Sequence, residues 1–217
     1  MPMTPRLLGN PDAGTMLVQM VDDHDLALIG NEYSEIVKSC PGRDFSLLTV
    51  KVDAWDHDLS PWTAPPVFGK TPFGDGAAQT LSFLLDSVLP RFSSGRTSLY
   101  LGGYSLAGLF ALWAACNCSL FKGIAAASPS VWFPGFVDYC KSNPPQTGAV
   151  YLSLGDKEEK TRNPVMATVG ESIKCLYSDL MVSGVPCTLE WNDGNHFRNP
   201  DIRMAKGFSW LLDREWV

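Results

Sequence analysis

The stretch Ser98–Trp113, SLYLGGYSLAGLFALW, constrains this chain more than any other: an apolar run enters a cluster of small residues and leaves as an amphipathic helical pattern. Read locally, it is strand, tight turn, helix. A serine at the centre of such a turn takes a strained backbone conformation, and small neighbours keep the flanking backbones from colliding. Gly103, Ser105 and Ala107 stand at those positions, and Gly102 and Gly108 add further small residues. The pattern is G-x-S-x-A, the outline of a nucleophile elbow. A plain N-cap turn would use the same residues, since serine is a favoured cap, so the remainder of the chain has to decide.

Around this segment, short runs rich in β-branched or aromatic residues alternate with longer segments of helical period, as in a parallel sheet with crossover helices. Six strands are expected, at Met16–Val21, Phe45–Val52, Ser98–Leu101, Gly123–Ala127, Ala149–Leu154 and Cys187–Trp191. Most are apolar on both faces, which suits strands buried between two helical layers. Helices are expected at about Asp25–Ser39, Ala77–Leu89, Leu106–Cys116, Gly135–Lys141, Pro164–Ser183 and Pro200–Leu212. The 217 residues fit one α/β domain, 1–217. The segment Asp53–Gly76, rich in proline and aromatic residues, predicts a structured flap packed against the body.

With 45% hydrophobic and 18% charged residues, the chain has enough apolar surface for a core, which excludes a disordered or fibrous protein. Its 23 acidic against 17 basic residues give a net charge of -6 without any Lys/Arg cluster, so no nucleic-acid partner is expected. No apolar run approaches the roughly 18 residues that span a bilayer, and the first residues lack a hydrophobic signal core. No membrane partner and a cytoplasmic location are expected. The six cysteines read as free, mostly buried thiols. There is no C-x-x-C pair, and His24, His57 and His196 lie far apart in sequence, so neither a metal nor a cofactor is expected.

An activated serine needs a base within hydrogen-bond reach, most often histidine. In the chain order serine, acid, histidine, the base follows the last strand, and WNDGNHF places His196 there, whereas His24 and His57 precede the serine. The competing reading is a surface-loop histidine. The acid should follow the penultimate strand, where YLSLGDKEEK offers Asp156, Glu158 and Glu159. A serine–histidine pair without an acid also stays open. The Leu106 N–H, at the helix start beside Ser105, is the first expected oxyanion donor. The second is the Asp23 N–H, with Asp22 close behind, although both residues could instead cap the helix starting near Asp25.

These residues resemble the esterase family of the α/β-hydrolase superfamily that includes siderophore (enterochelin) esterases and related small serine esterases. The resemblance rests on GYSLAG from Gly103, ASPSVWF from Ala127, GDKE from Gly155 and GNHF from Gly194, and spans about half the chain. It implies a single-domain α/β-hydrolase fold. The family's glycine, two residues and glutamate fall on Glu158, which ranks it above Asp156. The SPSVW stretch resembles the family's wall beside the nucleophile and implies that Trp132 borders the acyl or alcohol pocket. Ala107 departs from the glycine often found there. The few residues ahead of Met16 leave little room for the two leading strands of the eight-stranded fold, so a trimmed, mostly parallel sheet is expected.

The span between Ala127 and Ala149 is too short for a helical lid, so no large lid domain is expected. The flap, with Trp62, and the elbow's Tyr104 join Trp132 as candidates for an aromatic pocket taking a small, partly apolar ester. The competing reading is that each of these aromatics is core. The function expected is a serine carboxylic-ester hydrolase in which Ser105, His196 and Glu158 work through an acyl-enzyme. A thioesterase or acyltransferase would use the same residues, and a non-catalytic α/β-hydrolase-fold binding protein is the alternative from another class. Nothing in the sequence fixes an oligomeric state.

Overall fold

The computed structural model describes residues 4–93 and 97–214. A seven-stranded sheet runs β1-β3-β2-β4-β5-β6-β7 through the molecule. Its strands are β1 (Thr4–Gly9), β2 (Thr15–Val21), β3 (Ser46–Lys51), β4 (Ser98–Tyr104), β5 (Gly123–Ala127), β6 (Val150–Gly155) and β7 (Cys187–Asn192). All neighbours pair in parallel except β1, which runs antiparallel to β3 from Thr4↔Lys51 to Gly9↔Ser46. The expected count of six is therefore corrected to seven. β1 is half-exposed and carries no run of apolar residues, so periodicity does not betray it; it covers the outer edge of β3 and becomes the edge strand itself.

Alternation along the strands divides the core. On β2, Met16, Val18 and Met20 face one layer and Leu17 the other. The first layer holds α3 (Ala77–Phe83), α4 (Leu89–Phe92), α5 (Leu106–Asn117), α6 (Phe136–Ser142) and α7 (Val169–Val182). The second holds α1 (Asp23–Ser39) and α8 (Pro200–Leu212), which pack on each other and over the sheet centre. Every residue of α5 from Leu106 to Cys116 is buried. The expected amphipathic pattern is therefore corrected to a helix apolar all round, which belongs inside.

The segment 53–76 is ordered, as expected of a packed flap. It contains the short helix α2 (Trp55–Asp58) and an antiparallel bridge between Ala64 and Phe73. Phe73 is buried against Phe68, Trp132 and Phe133, with ring centroids 5.9, 6.0 and 5.2 Å away. α7 starts at Val169, five residues later than its expected onset at Pro164, because a 3-10 turn over Met166–Thr168 precedes it. α3 passes into α4 through a π-helical turn at Leu84–Val88. Among the described residues, no helix is long and apolar enough to cross a membrane.

Strand order reverses between β2 and β4: from β2 the chain moves outward to β3, and from β4 it moves the opposite way to β5, β6 and β7. A crevice opens beyond the carboxyl ends of strands at such a switch point. Ser105 follows β4 at this place.

Candidate active site

Ser105 joins β4 to α5 at φ 56° and ψ -121°, a conformation that L-residues seldom adopt. The turn is tight because strand and helix nearly touch: a Cβ on Gly103 would stand 2.4 Å from the carbonyl carbon of Ala107. The surroundings hold the strain in place. The Ser105 amide donates to the Ala127 carbonyl at 3.2 Å, and the Ser105 carbonyl accepts from the Ser130 amide at 3.0 Å. The Ser105 hydroxyl itself lies 3.3 Å from Ser130 Oγ.

His196 Nε2 lies 3.0 Å from Ser105 Oγ, and its Nδ1 lies 2.7 Å from Glu158 Oε2. An ionised carboxylate only accepts, so Nδ1 carries the proton and Nε2 is left to receive the serine O–H. Glu158 Oε1 accepts from Ser128 Oγ at 2.7 Å, the Gly155 amide at 2.8 Å and Arg203 Nη1 at 2.8 Å. Burial by itself would raise this carboxyl. The hydrogen bond and charge of His196, with the bonds from Ser128 and Gly155, outweigh burial and hold it below the ordinary glutamate value.

The neighbouring acids stand elsewhere. Asp156 is exposed, and its Oδ1 accepts from the Gly194 amide at 2.8 Å, tying the acid loop to the histidine loop. Glu159 is exposed and lies against Gly170 at the start of α7. Of the three candidates, the structure brings Glu158 alone to the imidazole.

Leu106 is the first residue of α5, so its N–H has no acceptor within the helix and faces the crevice end. Asp23 likewise begins α1, but its side chain points into solvent and pairs with Lys51 at 2.9 Å. Asp22 is the helix cap, accepting from the Asp25 amide at 2.8 Å. Asp22 and His24 border a recess of about 150 Å3 beside Ser105 and His196.

The three aromatic candidates separate. Trp132 borders the crevice beside His196. Trp62 does not reach it: Nε1 donates to the Pro134 carbonyl at 3.0 Å and the ring packs on Phe133 and Tyr139. Tyr104 sits behind His196, where its hydroxyl donates to the His196 carbonyl at 2.7 Å and accepts from Arg203 at 3.1 Å. Burial above all pushes its phenol up to about 12. Its contacts support the histidine loop, and it borders the small recess.

Two residues that sequence reasoning passes over complete the site. Ser128 follows β5 at φ 45°, another strained non-glycine position, which aims its hydroxyl at Glu158. Arg203 rises from α8, fully buried, and reaches Tyr104, Ser128 and Glu158 with Nη1 and the Asp193 and Asn195 carbonyls with Nη2. The available signal is a charged residue at the inward spacing of Arg203, Gly207 and Leu211 on an amphipathic helix. Among the described residues, no three His, Cys, Asp or Glu converge as metal ligands would.

Two lobes adjoin at His196 and Trp132. One of about 450 Å3 is lined mainly by Trp55, Phe68, Phe73, Trp132 and Phe197 around Ser105 and Leu106. The other, of about 470 Å3, passes His196 toward Lys157, Lys160, Thr161 and Asn195.

A scan against protein-family models matches none, and a search of curated proteins finds no match. Solved structures do match. An IroE-like serine hydrolase from Shewanella oneidensis superposes with a TM-score of 0.79 at 14% identity, over 96% of this chain and 75% of that one. The siderophore hydrolase EstA from Aspergillus nidulans gives 0.70 at 20% identity, over 97% and 94%. The enterobactin esterase FES from Shigella flexneri gives 0.63 at 14% identity, over 97% of this chain and 59% of that one. The chain has the α/β-hydrolase fold, and the resemblance read from its motifs has its counterpart in these structures.

Proposed function

We propose that this chain is a serine hydrolase of carboxylic esters, with Ser105 as nucleophile, His196 as general base and acid, and Glu158 as the group that orients the imidazole. The observation that carries this reading is the unbroken line Ser105 Oγ, His196 Nε2, His196 Nδ1, Glu158 Oε2, with steps of 3.0 and 2.7 Å across the ring, at a helix N-terminus. Names among the similar structures, a serine hydrolase, a siderophore hydrolase and an enterobactin esterase, support ester hydrolysis as the chemistry.

In this reading Ser105 Oγ attacks the ester carbonyl carbon while its proton passes to His196 Nε2. Glu158, ionised and fixed by its own partners, stabilises the imidazolium that forms. The Leu106 N–H and the positive end of α5 receive the developing oxyanion, and the turn at Asp22–Asp23 is the expected source of the second donor. His196 returns the proton to the departing alcohol, leaving an acyl group on Ser105. Water, deprotonated by the same imidazole, then releases the acid. The aromatic lobe around Ser105 suits a small, partly apolar acyl group.

Intact-mass labelling with a fluorophosphonate tests the reading without assuming a substrate. One adduct on the wild type that is lost in Ser105→Ala supports an activated serine. A folded protein that forms no adduct would overturn it and leave the crevice as a binding site.

A further inference from the structure

The two lobes of the crevice differ in charge. Ser105 and Leu106 open onto the apolar lobe, which half-buried Asp56 also lines. Lys157 and Lys160 open onto the other lobe, beside Thr161 and Asn195. Trp132, Met166, His196 and Phe197 border both, so the two lobes adjoin at His196. In a chain of net charge -6, two lysines line one end of the cleft and an aspartate the other, and the one carboxylate lining the lysine end, Glu158, is already paired with Arg203 and His196.

Both lysines are exposed. Lys157 contacts Asp193 at 3.3 Å, with both side chains more than half exposed, and such a surface pair is weak enough to be exchanged for a better partner. The nearby carboxylates are otherwise engaged: Glu158 faces His196 and Arg203, and Glu159 turns toward α7. Asn195 and Thr161 add neutral polar groups to the same wall.

We infer that the lobe lined by Lys157 and Lys160 binds an anionic group, a carboxylate or its equivalent, on the alcohol side of the ester, while the aromatic lobe takes an uncharged acyl group. This rests on Ser105 being the nucleophile. The carbonyl must sit at Ser105 and the Leu106 N–H, in the apolar lobe, and the departing oxygen must meet His196, beyond which the cationic lobe begins. Asp56 repels an anionic acyl group, and the lysines attract an anionic alcohol. Hydrolysis then yields an apolar acid and a hydroxy acid: the acyl–oxygen bond breaks, water supplies the acid's hydroxyl, and the alcohol oxygen gains the proton from His196.

The test compares three esters: 3-(benzoyloxy)propanoate, its uncharged amide analogue 3-(benzoyloxy)propanamide, and monobenzyl succinate, in which the negative charge lies on the acyl side. The wild type should favour the first over the amide by about fivefold in kcat/KM, expressed mainly in KM, as two partly exposed charge contacts allow. Lys157→Ala/Lys160→Ala should bring that ratio close to one, the arginine pair should restore it, and 0.5 M NaCl should shrink it. A ratio near one in the wild type, or a preference for monobenzyl succinate, would overturn the inference. Calorimetry of the uncleaved esters on Ser105→Ala reads the subsite apart from turnover. Selective binding of the carboxylate ester there, with no turnover by the wild type, upholds the subsite and rejects the catalytic reading; turnover without selectivity does the reverse.

Discussion

Arg203 Nη1 lies 2.8 Å from Glu158 Oε1, and the two side chains keep only 2% and 4% of their surface in solvent. A buried ion pair is weak evidence for added stability, because desolvation consumes much of the attraction. What the pair does provide is geometry. With Oε1 saturated by Arg203, Ser128 and the Gly155 amide, only Oε2 remains to face His196. Nη2 of the same guanidinium holds the carbonyls of Asp193 and Asn195, so one side chain positions both the carboxylate and the loop that bears the histidine.

Arg203→Lys should therefore lower kcat by about ten- to a hundredfold with little change in KM, since an ammonium cannot span both sets of partners as a planar fork does. Arg203→Met should cost about 3–5 kcal/mol of stability by leaving Glu158 without its charge partner. Steady-state kinetics on a short acyl ester, beside chemical denaturation, separate the two effects. A rise in KM at constant kcat would show that Arg203 serves substrate binding instead.

The three acids of one loop should divide cleanly. Glu158→Gln should reduce kcat by about 10²–10⁴, the range expected when the imidazole loses its orienting carboxylate. Asp156→Ala, which frees the Gly194 amide, should cost less, and Glu159→Gln should stay close to wild type. Equal small losses across the three would point to a serine–histidine pair. Acid stability gives a second reading. Glu158 is held below its ordinary value, so its ionised form stabilises the fold above the ordinary carboxylate range, and this is lost as pH falls through the lowered value. Glu158→Gln should lack that step in a melting profile between about pH 5 and pH 2.

Ser105 and His196 were legible because their signals are local or follow chain order: small residues at fixed offsets from a serine, a histidine after the last strand; chain order left three acids open, and the family resemblance ranked Glu158 first. Arg203 and Ser128 were not, because their partners lie 45 and 30 residues from them in sequence, at Glu158, and only the closed sheet brings them together. Tyr104 was visible as an aromatic beside the serine, but a strand residue's facing depends on which helix layer covers it, and here it turns toward α8 and His196. Trp62 failed as a pocket residue for a similar reason: the flap folds back so that this ring meets α6 while Phe68 and Phe73 meet the crevice. β1 escaped because an edge strand needs no apolar period when one face stays half in water.

The elbow predicts a steric threshold. A Cβ at Gly103 would come within 2.4–2.6 Å of the backbone and Cβ of Ala107, closer than atoms pack, so strand and helix must part. Gly103→Val should abolish fluorophosphonate labelling and lower the melting temperature, whereas Ala107→Gly, which relieves crowding at the same crossing, should keep labelling. Equal labelling of both variants would show that the strained turn does not depend on this close approach.

A final prediction concerns a carboxyl away from the chemistry. Glu32 of α1 is buried against Gln19 of β2, accepts one hydrogen bond from it at 3.3 Å, and leaves Oε1 without a partner among the described residues. Burial, aided by the nearby charges of Asp25 and Asp201 and opposed by the Gln19 bond, raises its proton affinity well above the ordinary value. The folded chain thus holds this proton more tightly than the unfolded chain. Its contribution to stability is full below the ordinary carboxylate range and declines as pH rises toward the raised value, with a limiting slope of about 1.4 kcal/mol per pH unit. Glu32→Gln keeps the shape and removes the titration. The variant should be more stable than wild type at pH 8, by a margin that narrows toward pH 5. Parallel stability curves for the two proteins across that interval would mean that Glu32 binds its proton no more tightly in the fold than outside it.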